Sequence, residues 1–327
     1  MPADAAISAA VAAMKDGRLV AFPTETVYGL GADALDASAV ARVFALKGRP
    51  ANNPLIVHVC DEAMARSLVK EWPAAAAALA KSFWPGPLSI VLPRAASVPG
   101  IVTAGSPNVA VRCPRHPLTL ALIRALGRPL VGPSANASGH VSPTTAAHAR
   151  AEFDARDVHV LDGGPCEGGI ESTVVTLAES PPRVLRPGLI SAEEIARVLG
   201  TPVTAPREGA AAHASVPGTP LESPGLLEKH YAPRTRAVMI PGKDAPAFLR
   251  RAVGKVVLLT HHACDPAPPP HEVVALPADA HAYAAAVYAA LRDADSRGAG
   301  VIAVVKPEDD GAVWDAVRDR LRRATAE

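Results

Sequence analysis

No stretch of this chain approaches the roughly eighteen consecutive apolar residues that a membrane-spanning helix needs, so that class of protein is excluded first. The chain has neither a basic tail nor an acidic block, and its net charge is +1, so binding nucleic acid through a charged arm is not expected. Cysteine is scarce. Cys60, Cys113, Cys166 and Cys264 lie far apart, without a CxxC pair or a Cys/His ligand spacing, which argues against a zinc site or a disulfide framework. A Walker loop is missing, so any nucleotide must be held another way. Neither a Ser/His/Asp or Cys/His triad nor a repeat of fixed period stands out. The first residues contain Asp4 and lack a basic start followed by an apolar core. They read as an amphipathic helix closed at Gly17 rather than a signal peptide. These absences together predict a protein of the cytoplasm, a reducing compartment, with no membrane partner.

What is present suits two folded domains: 327 residues, 49% hydrophobic, with a mean hydropathy of +0.16. Residues 1–205 interleave strands and helices too irregularly for simple βαβ repetition, which predicts a mixed, twisted α/β sheet. Residues 206–235 are rich in Pro, Gly, Ala and Ser without an apolar period and mark a linker. Inside it, SPGLLEKHYAP (223–233) holds a donor-rich His230-Tyr231 pair braced by prolines. From 236 to 327, strands and helices alternate as in a smaller, mostly parallel, Rossmann-like or flavodoxin-like domain.

Residues 18–59 concentrate the polar chemistry. A strand over 19–22 stops at Pro23 and is followed by Thr24, Glu25 and Thr26. A helix beginning near Asp36 or Ser38 ends at Lys47-Gly48-Arg49-Pro50, and a second strand over 55–59 carries His58. Cations at a helix C-terminus gain about 0.3–1 kcal/mol each from the macrodipole alone. Gly48 and Pro50 should break the helix, however, letting Lys47 and Arg49 point the same way, as phosphate binding would need. Local chemistry leaves both explanations open. Gly29-Leu30-Gly31-Ala32-Asp33-Ala34 matches the dinucleotide fingerprint G-x-G-x-x-A poorly. It does not follow its strand directly, and no acidic residue closes a second strand about twenty positions on.

Further along, Pro133-Ser134-Ala135-Asn136-Ala137-Ser138-Gly139 follows a brief strand over 129–132 and offers small donors and closely approachable backbone, or simply a turn. Ser142-Pro143-Thr144 reads as a helix start. Arg112 sits in an apolar strand with no evident carboxylate nearby, so a ligand carboxylate is the expected partner. Arg186 lies at another strand exit. Cations and hydroxyls accumulate without a nucleophile, a pattern that suits phosphoryl or nucleotidyl transfer by positioning and charge stabilisation.

Six motifs, in this order, carry a family resemblance: Pro23-Thr24-Glu25-Thr26-Val27-Tyr28-Gly29-Leu30, Lys47-Gly48-Arg49-Pro50, Asn53-Pro54-Leu55, Val109-Ala110-Val111-Arg112, the Pro133 to Gly139 motif, and Glu171-Ser172-Thr173-Val174. With the linker signature they resemble the long, two-domain form of the YrdC-like family, the L-threonylcarbamoyladenylate synthases. The resemblance implies a YrdC-like catalytic sheet and a nucleotidyltransferase that converts L-threonine, bicarbonate and ATP to threonylcarbamoyl-AMP and pyrophosphate, with Mg²⁺. Downstream proteins would then transfer the threonylcarbamoyl group to an adenosine of tRNA, which leaves room for a weak tRNA contact. It further implies threonine contacts at Thr26, His58, Arg112, Ser172 and the backbone of Gly132. The implied ATP contacts are Lys47, Arg49, Asn53, Asn108, Ser134, Ser142, Arg186 and Tyr231, with Lys47 and Arg49 acting in catalysis and no protein metal ligand. Asn108 stands where the family often has threonine, Gly132 where it usually has alanine, and Leu226-Leu227-Glu228 where it has a more polar, aromatic stretch. The alternative is an RNA-binding module of the same fold, disfavoured by the balanced charge.

Overall fold

In the computed structural model, which describes residues 2–206, 219–262 and 267–326, nine strands form one mixed sheet and four form another. Part of the linker predicted over 206–235, together with Cys264, lies outside the described residues. The chain opens with α1 (Pro2–Lys15) and reverses at Gly17, whose φ of 82° suits glycine. It then enters β1 (Leu19–Phe22) and β2 (Gly29–Asp33). These strands are antiparallel, with Phe22 opposite Gly29. The pairing explains the glycines that resembled a dinucleotide fingerprint. A Cβ on Gly29 would lie 2.6 Å from the Phe22 ring, and one on Gly31 would lie 2.9 Å from it. They make room for an aromatic side chain inside a strand.

Asp36 caps α2 (Ala37–Lys47) by accepting from the amides of Ser38 and Ala39, and Gly48 ends it in the left-handed region at φ 59°. Then follow β3 (Ile56–His58), α3 (Glu62–Arg66), α4 (Ala74–Phe83), β4 (Leu88–Pro93), β5 (Asn108–Arg112), α5 (Pro117–Leu126) and β6 (Leu130–Val131). The next helix, α6 (Ala146–Arg150), is capped by Thr145, so Ser142-Pro143-Thr144 is not the helix start the sequence suggested. After β7 (Val158–Val160), β8 (Thr173–Thr176) and β9 (Arg183–Arg186) comes α7 (Ala192–Leu199), opened by the capping box of Ser191 and Glu194. Its buried Ile195 joins the core of the first sheet. The strand order is β7-β1-β2-β6-β3-β5-β4-β8-β9.

The second sheet holds β10 (Ala237–Ile240), β11 (Val256–Thr260), β12 (Glu272–Ala275) and β13 (Val301–Val305) in the order β10-β13-β11-β12. All its pairings are parallel. Helices α8 (Ala245–Arg251), α9 (Ala280–Ser296) and α10 (Ala312–Ala324) accompany it. The two sheets share a core: Val27, Val141, Ile170 and Tyr231 pack among Tyr283, Tyr288, Leu291 and Leu321. The approach is close at Gly169, where a Cβ would fall 2.2 Å from the carbonyl oxygen of Ala284. No helix of the described residues is long and apolar enough to cross a membrane.

Candidate active site

Parallel pairing of β3 with β5 places His58 beside Arg112, and antiparallel pairing with β6 sets Leu130 opposite His58. The chain leaving β6 at Gly132 therefore runs under the imidazole, with the Gly132 amide donating to the Ile56 carbonyl at 3.0 Å. From the other flank, β9 delivers Arg186, whose Nε and Nη2 donate to the Ser172 carbonyl at 3.1 and 2.9 Å. After the Gly48 turn, Arg49 donates through Nε to the Asn53 carbonyl at 2.9 Å, and through Nη2 to Asn53 Oδ1 and the Pro54 carbonyl at 2.7 Å each. Arg49, Arg112 and Arg186 line one cavity of about 40 Å³ together with His58, Gly132 and Ser134. The linker closes its remaining side with Pro224, Gly225, His230 and Tyr231.

Arg112 overturns one expectation. Its Nη2 donates to Glu25 Oε1 at 2.8 Å and to Thr26 Oγ1 at 2.9 Å, so a carboxylate of the chain itself pairs with it. Sequence reasoning missed Glu25 because its partner is 87 residues away. The turn after β1 aims Glu25, since Thr24 Oγ1 donates to the Val27 carbonyl at 2.6 Å and accepts from the Thr26 and Val27 amides. Burial, the largest single influence, pushes the Glu25 carboxyl up, yet the Arg112 charge together with the hydrogen bonds from Arg112 and the Arg115 amide holds the group below its ordinary value.

Lys47 and Arg49 do not point alike. Lys47 is buried and donates to the carbonyls of Ser134 and Asn136 at 2.5 Å each, which pins the loop after β6, while Arg49 faces the cavity. Burial and the neighbouring Arg49 charge drive the Lys47 ammonium well below its ordinary value. Burial lowers Arg49 and Arg186 too. Three guanidiniums gathered around one cavity, Arg112 and Arg186 buried and Arg49 partly so, form a site that an anion would relieve.

The remaining predicted residues surround this centre. Thr26 is buried against Thr24 and Arg112, and Ser172 Oγ lies 2.9 Å from Ser89 Oγ. The Ser142 hydroxyl donates to Glu171 Oε1 at 2.6 Å. Asn108 lines a separate, smaller cavity beside Pro54 and Leu221. Four buried polar atoms at or beside the main cavity lack partners: Asn53 Nδ2, His58 Nδ1, His230 Nδ1 and Tyr231 Oη. Each such group costs about 1–3 kcal/mol when left unmade. A ligand carrying donors and acceptors would satisfy them. Burial, then Arg112, keeps His58 neutral, and burial brings His230 down to about 3.

Among the described residues, Glu171 is the one carboxylate lining the cavity. Besides the Ser142 hydroxyl it accepts Tyr288 Oη at 3.0 Å and Arg320 Nε at 2.9 Å, so both oxygens are engaged. A resident Mg²⁺, which wants about six oxygens in octahedral array, does not fit that set. Elsewhere, ligand-type atoms of His261, His262 and Asp309 lie within 4.8 Å of one another. His261 Nδ1 is buried without an acceptor, while Nε2 lies 3.0 Å from Asp309 Oδ2.

The chain is similar to known proteins along most of its length. Residues 12–188 match the Sua5/YciO/YrdC family, described as telomere recombination, and residues 190–326 match the threonylcarbamoyl-AMP synthase C-terminal domain. The threonylcarbamoyl-AMP synthase of Pyrococcus abyssi is 40% identical over 324 residues, covering 95% of this chain and 92% of that protein. That of Bacillus subtilis is 44% identical over 240 residues, covering 73% and 68%. The crystal structure of P. abyssi Sua5 complexed with L-threonine superposes with a TM-score of 0.87 at 40% identity, covering 98% of this chain and 94% of that one.

Proposed function

The chain belongs to the Sua5/YciO/YrdC family in its two-domain form, and we propose on that premise that it makes threonylcarbamoyl-AMP from L-threonine, bicarbonate and ATP. The observation that carries the proposal is the convergence of Arg49, Arg112 and Arg186 on one cavity beside a neutral His58. The threonine amine bonds to the carbon of carbon dioxide with loss of an amine proton, or to that of bicarbonate with loss of water, to give a carbamate. A carbamate oxygen then bonds to the α-phosphorus of ATP as the bond to the β-phosphate oxygen breaks, and pyrophosphate leaves. Two anions must approach each other, so clustered cations account for much of the acceleration.

The roles divide by position. Arg112, already fixed by Glu25, faces the threonine carboxylate, with Thr26, His58, Ser172 and the Gly132 backbone around the amino acid. Arg49 and Arg186 meet the phosphates, Ser134 and Asn53 flank the nucleotide, and Tyr231 covers it. Lys47 acts by holding the Ser134–Asn136 carbonyls in place. Ser142 serves through Glu171, and Asn108 contributes from the adjoining cavity wall. Magnesium enters on the phosphates of ATP as part of the substrate. Ligand sites usually enclose about 300–1,000 Å³, and a cavity of about 40 Å³ supports a reading in which the linker withdraws to admit ATP. The product passes to proteins that transfer threonylcarbamoyl to tRNA. Three free, buried cysteines, Cys60, Cys113 and Cys166, support a cytoplasmic setting.

The experiment is a pyrophosphate-release assay in which threonine, bicarbonate and ATP are omitted in turn. Release must require all three, and release that ignores threonine overturns the proposal.

A further inference from the structure

The second domain packs two side chains, which neither family motif nor local pattern assigns, against the cavity-lining Tyr231 and Glu171. The geometry points to Tyr288 on α9 and Arg320 on α10 as positioning residues that hold the linker's Tyr231 over the nucleotide subsite. This rests on the reading of the cavity as an ATP site.

The Tyr231 ring is held on two sides. Tyr288 stacks on it with centroids 5.7 Å apart and planes 25° apart, and the Arg320 guanidinium carbon lies 5.4 Å from its centroid. Tyr231 has φ 61°, a conformation few non-glycine residues adopt, so the surrounding packing holds the backbone there. Its hydroxyl is buried without a partner and crowds Gly225, where a Cβ would sit 2.5 Å from Oη and 3.1 Å from Arg186 Cδ. Arg186 Nη1 in turn donates to the Pro224 carbonyl at 3.2 Å. The tyrosine hydroxyl, the linker turn and the phosphate-facing arginine are therefore one assembly.

That assembly is anchored to the second domain through Glu171. Arg320, 1% exposed, donates through Nε to Glu171 Oε2 at 2.9 Å and through Nη2 to the Pro187 carbonyl at 2.9 Å, while Nη1 pairs with Asp319. Tyr288 Oη donates to the same Glu171 oxygen at 3.0 Å. Glu171 precedes Ser172, whose carbonyl receives Arg186. One guanidinium thus fixes the lid residue by its face and the β8 entrance by its edge. A domain that merely docked would place no pressure on ATP relative to threonine; a latch on Tyr231 would.

The test uses the full chain and reads ATP and threonine separately. Tyr288→Phe keeps the stacked ring and loses the bond to Glu171, whereas Tyr288→Leu loses the ring. Tyr288→Leu should raise the ATP KM about tenfold while the threonine KM stays within about twofold, and Tyr288→Phe should move the ATP KM far less. Arg320→Lys, which keeps a charge beside Glu171 but loses the flat guanidinium, should also raise the ATP KM selectively, so the inference does not depend on Tyr288→Leu folding. Calorimetric titration with a non-hydrolysable ATP analogue reads the same weakening without turnover. Absence of threonine-dependent pyrophosphate release in the wild type would remove the enzyme assignment but leave this binding comparison standing. Equal movement of both KM values, or unchanged analogue affinity in variants of lowered melting temperature, would reduce Tyr288 and Arg320 to structural residues and overturn the inference.

Discussion

Arg112 and Glu25 form an ion pair of 2.8 Å across 87 positions of sequence, with each side chain 4% exposed. Glu25 Oε2 also accepts the Arg115 amide at 2.9 Å, so both carboxylate oxygens are engaged. The arginine is thereby oriented before any amino acid arrives, which is what preorganised binding of a carboxylate needs.

Removing the acid while keeping its shape separates these roles. Glu25→Gln should destabilise the protein by about 3 kcal/mol, because it leaves a buried guanidinium without its counter-charge. It should also raise the threonine KM. The double variant Glu25→Gln/Arg112→Met should regain much of the stability, measured by urea unfolding, and none of the threonine affinity. Wild-type threonine affinity in the double variant would show that Arg112 does not bind the amino acid.

Acid should weaken the fold in two steps. His58 and His230 are kept neutral by burial, His230 down to about 3 and His58 well below its ordinary 6.5. As pH falls below the ordinary histidine value, the unfolded chain takes up protons that the native state refuses. Stability then drops by about 1.4 kcal/mol per pH unit for each such group. Glu25 and Glu171 are held below the ordinary carboxylate value. Their contribution is present above about pH 4.5 and disappears as pH falls through the lowered native values. Urea unfolding at pH 7 and pH 5.5 should show the first step, and His230→Gln should flatten it. An unchanged slope in His230→Gln would mean that His230 is not a buried neutral group.

The same contrast between local and distant partners explains what the sequence could reveal. The first strand, the Asp36 cap, the Gly48 stop, the Ser191 capping box and the alternation of the second domain are written in a few neighbouring residues each, and the structure reproduces them. Strand β2 is hidden because Gly29 and Gly31 invite comparison with a dinucleotide fingerprint, when their smallness serves the Phe22 ring across the pair. Glu25 with Arg112, and Glu171 with Arg320, were illegible because ion pairs between distant segments leave no periodic trace. The cationic residues themselves could be picked out as unusual, but Arg112's partner could not.

Arg49 offers the sharpest test of the cluster. Its bonds to Asn53 and Pro54 are local, so Arg49→Ala should fold. Loss of one preorganised charge from a desolvated site commonly costs about a hundred- to a thousandfold in rate. Threonine-dependent pyrophosphate release should fall by that amount, with partial recovery in Arg49→Lys. If the cavity instead served RNA, one charge among several phosphate contacts would matter little, and RNA affinity would barely change. Retained turnover in Arg49→Ala would sink the assignment of Arg49 to the phosphates.

Gly132 tests the threonine side through sterics alone. An added Cβ would lie 2.6 Å from the His58 ring and 2.7 Å from Phe22 Cζ, while those two rings already meet edge to face at 5.4 Å. Phe22 is buried and locked between Gly29 and Gly31, whereas His58 lines the cavity and is the ring that can yield. Gly132→Ala must therefore turn His58 or displace the strand exit, costing about 1–3 kcal/mol of stability as overpacking does. With His58 and the Gly132 backbone assigned to the amino acid in the proposed function, the threonine KM should rise while the ATP KM changes little. Equal KM values for wild type and Gly132→Ala, with the expected loss of stability, would place the threonine elsewhere in the cavity.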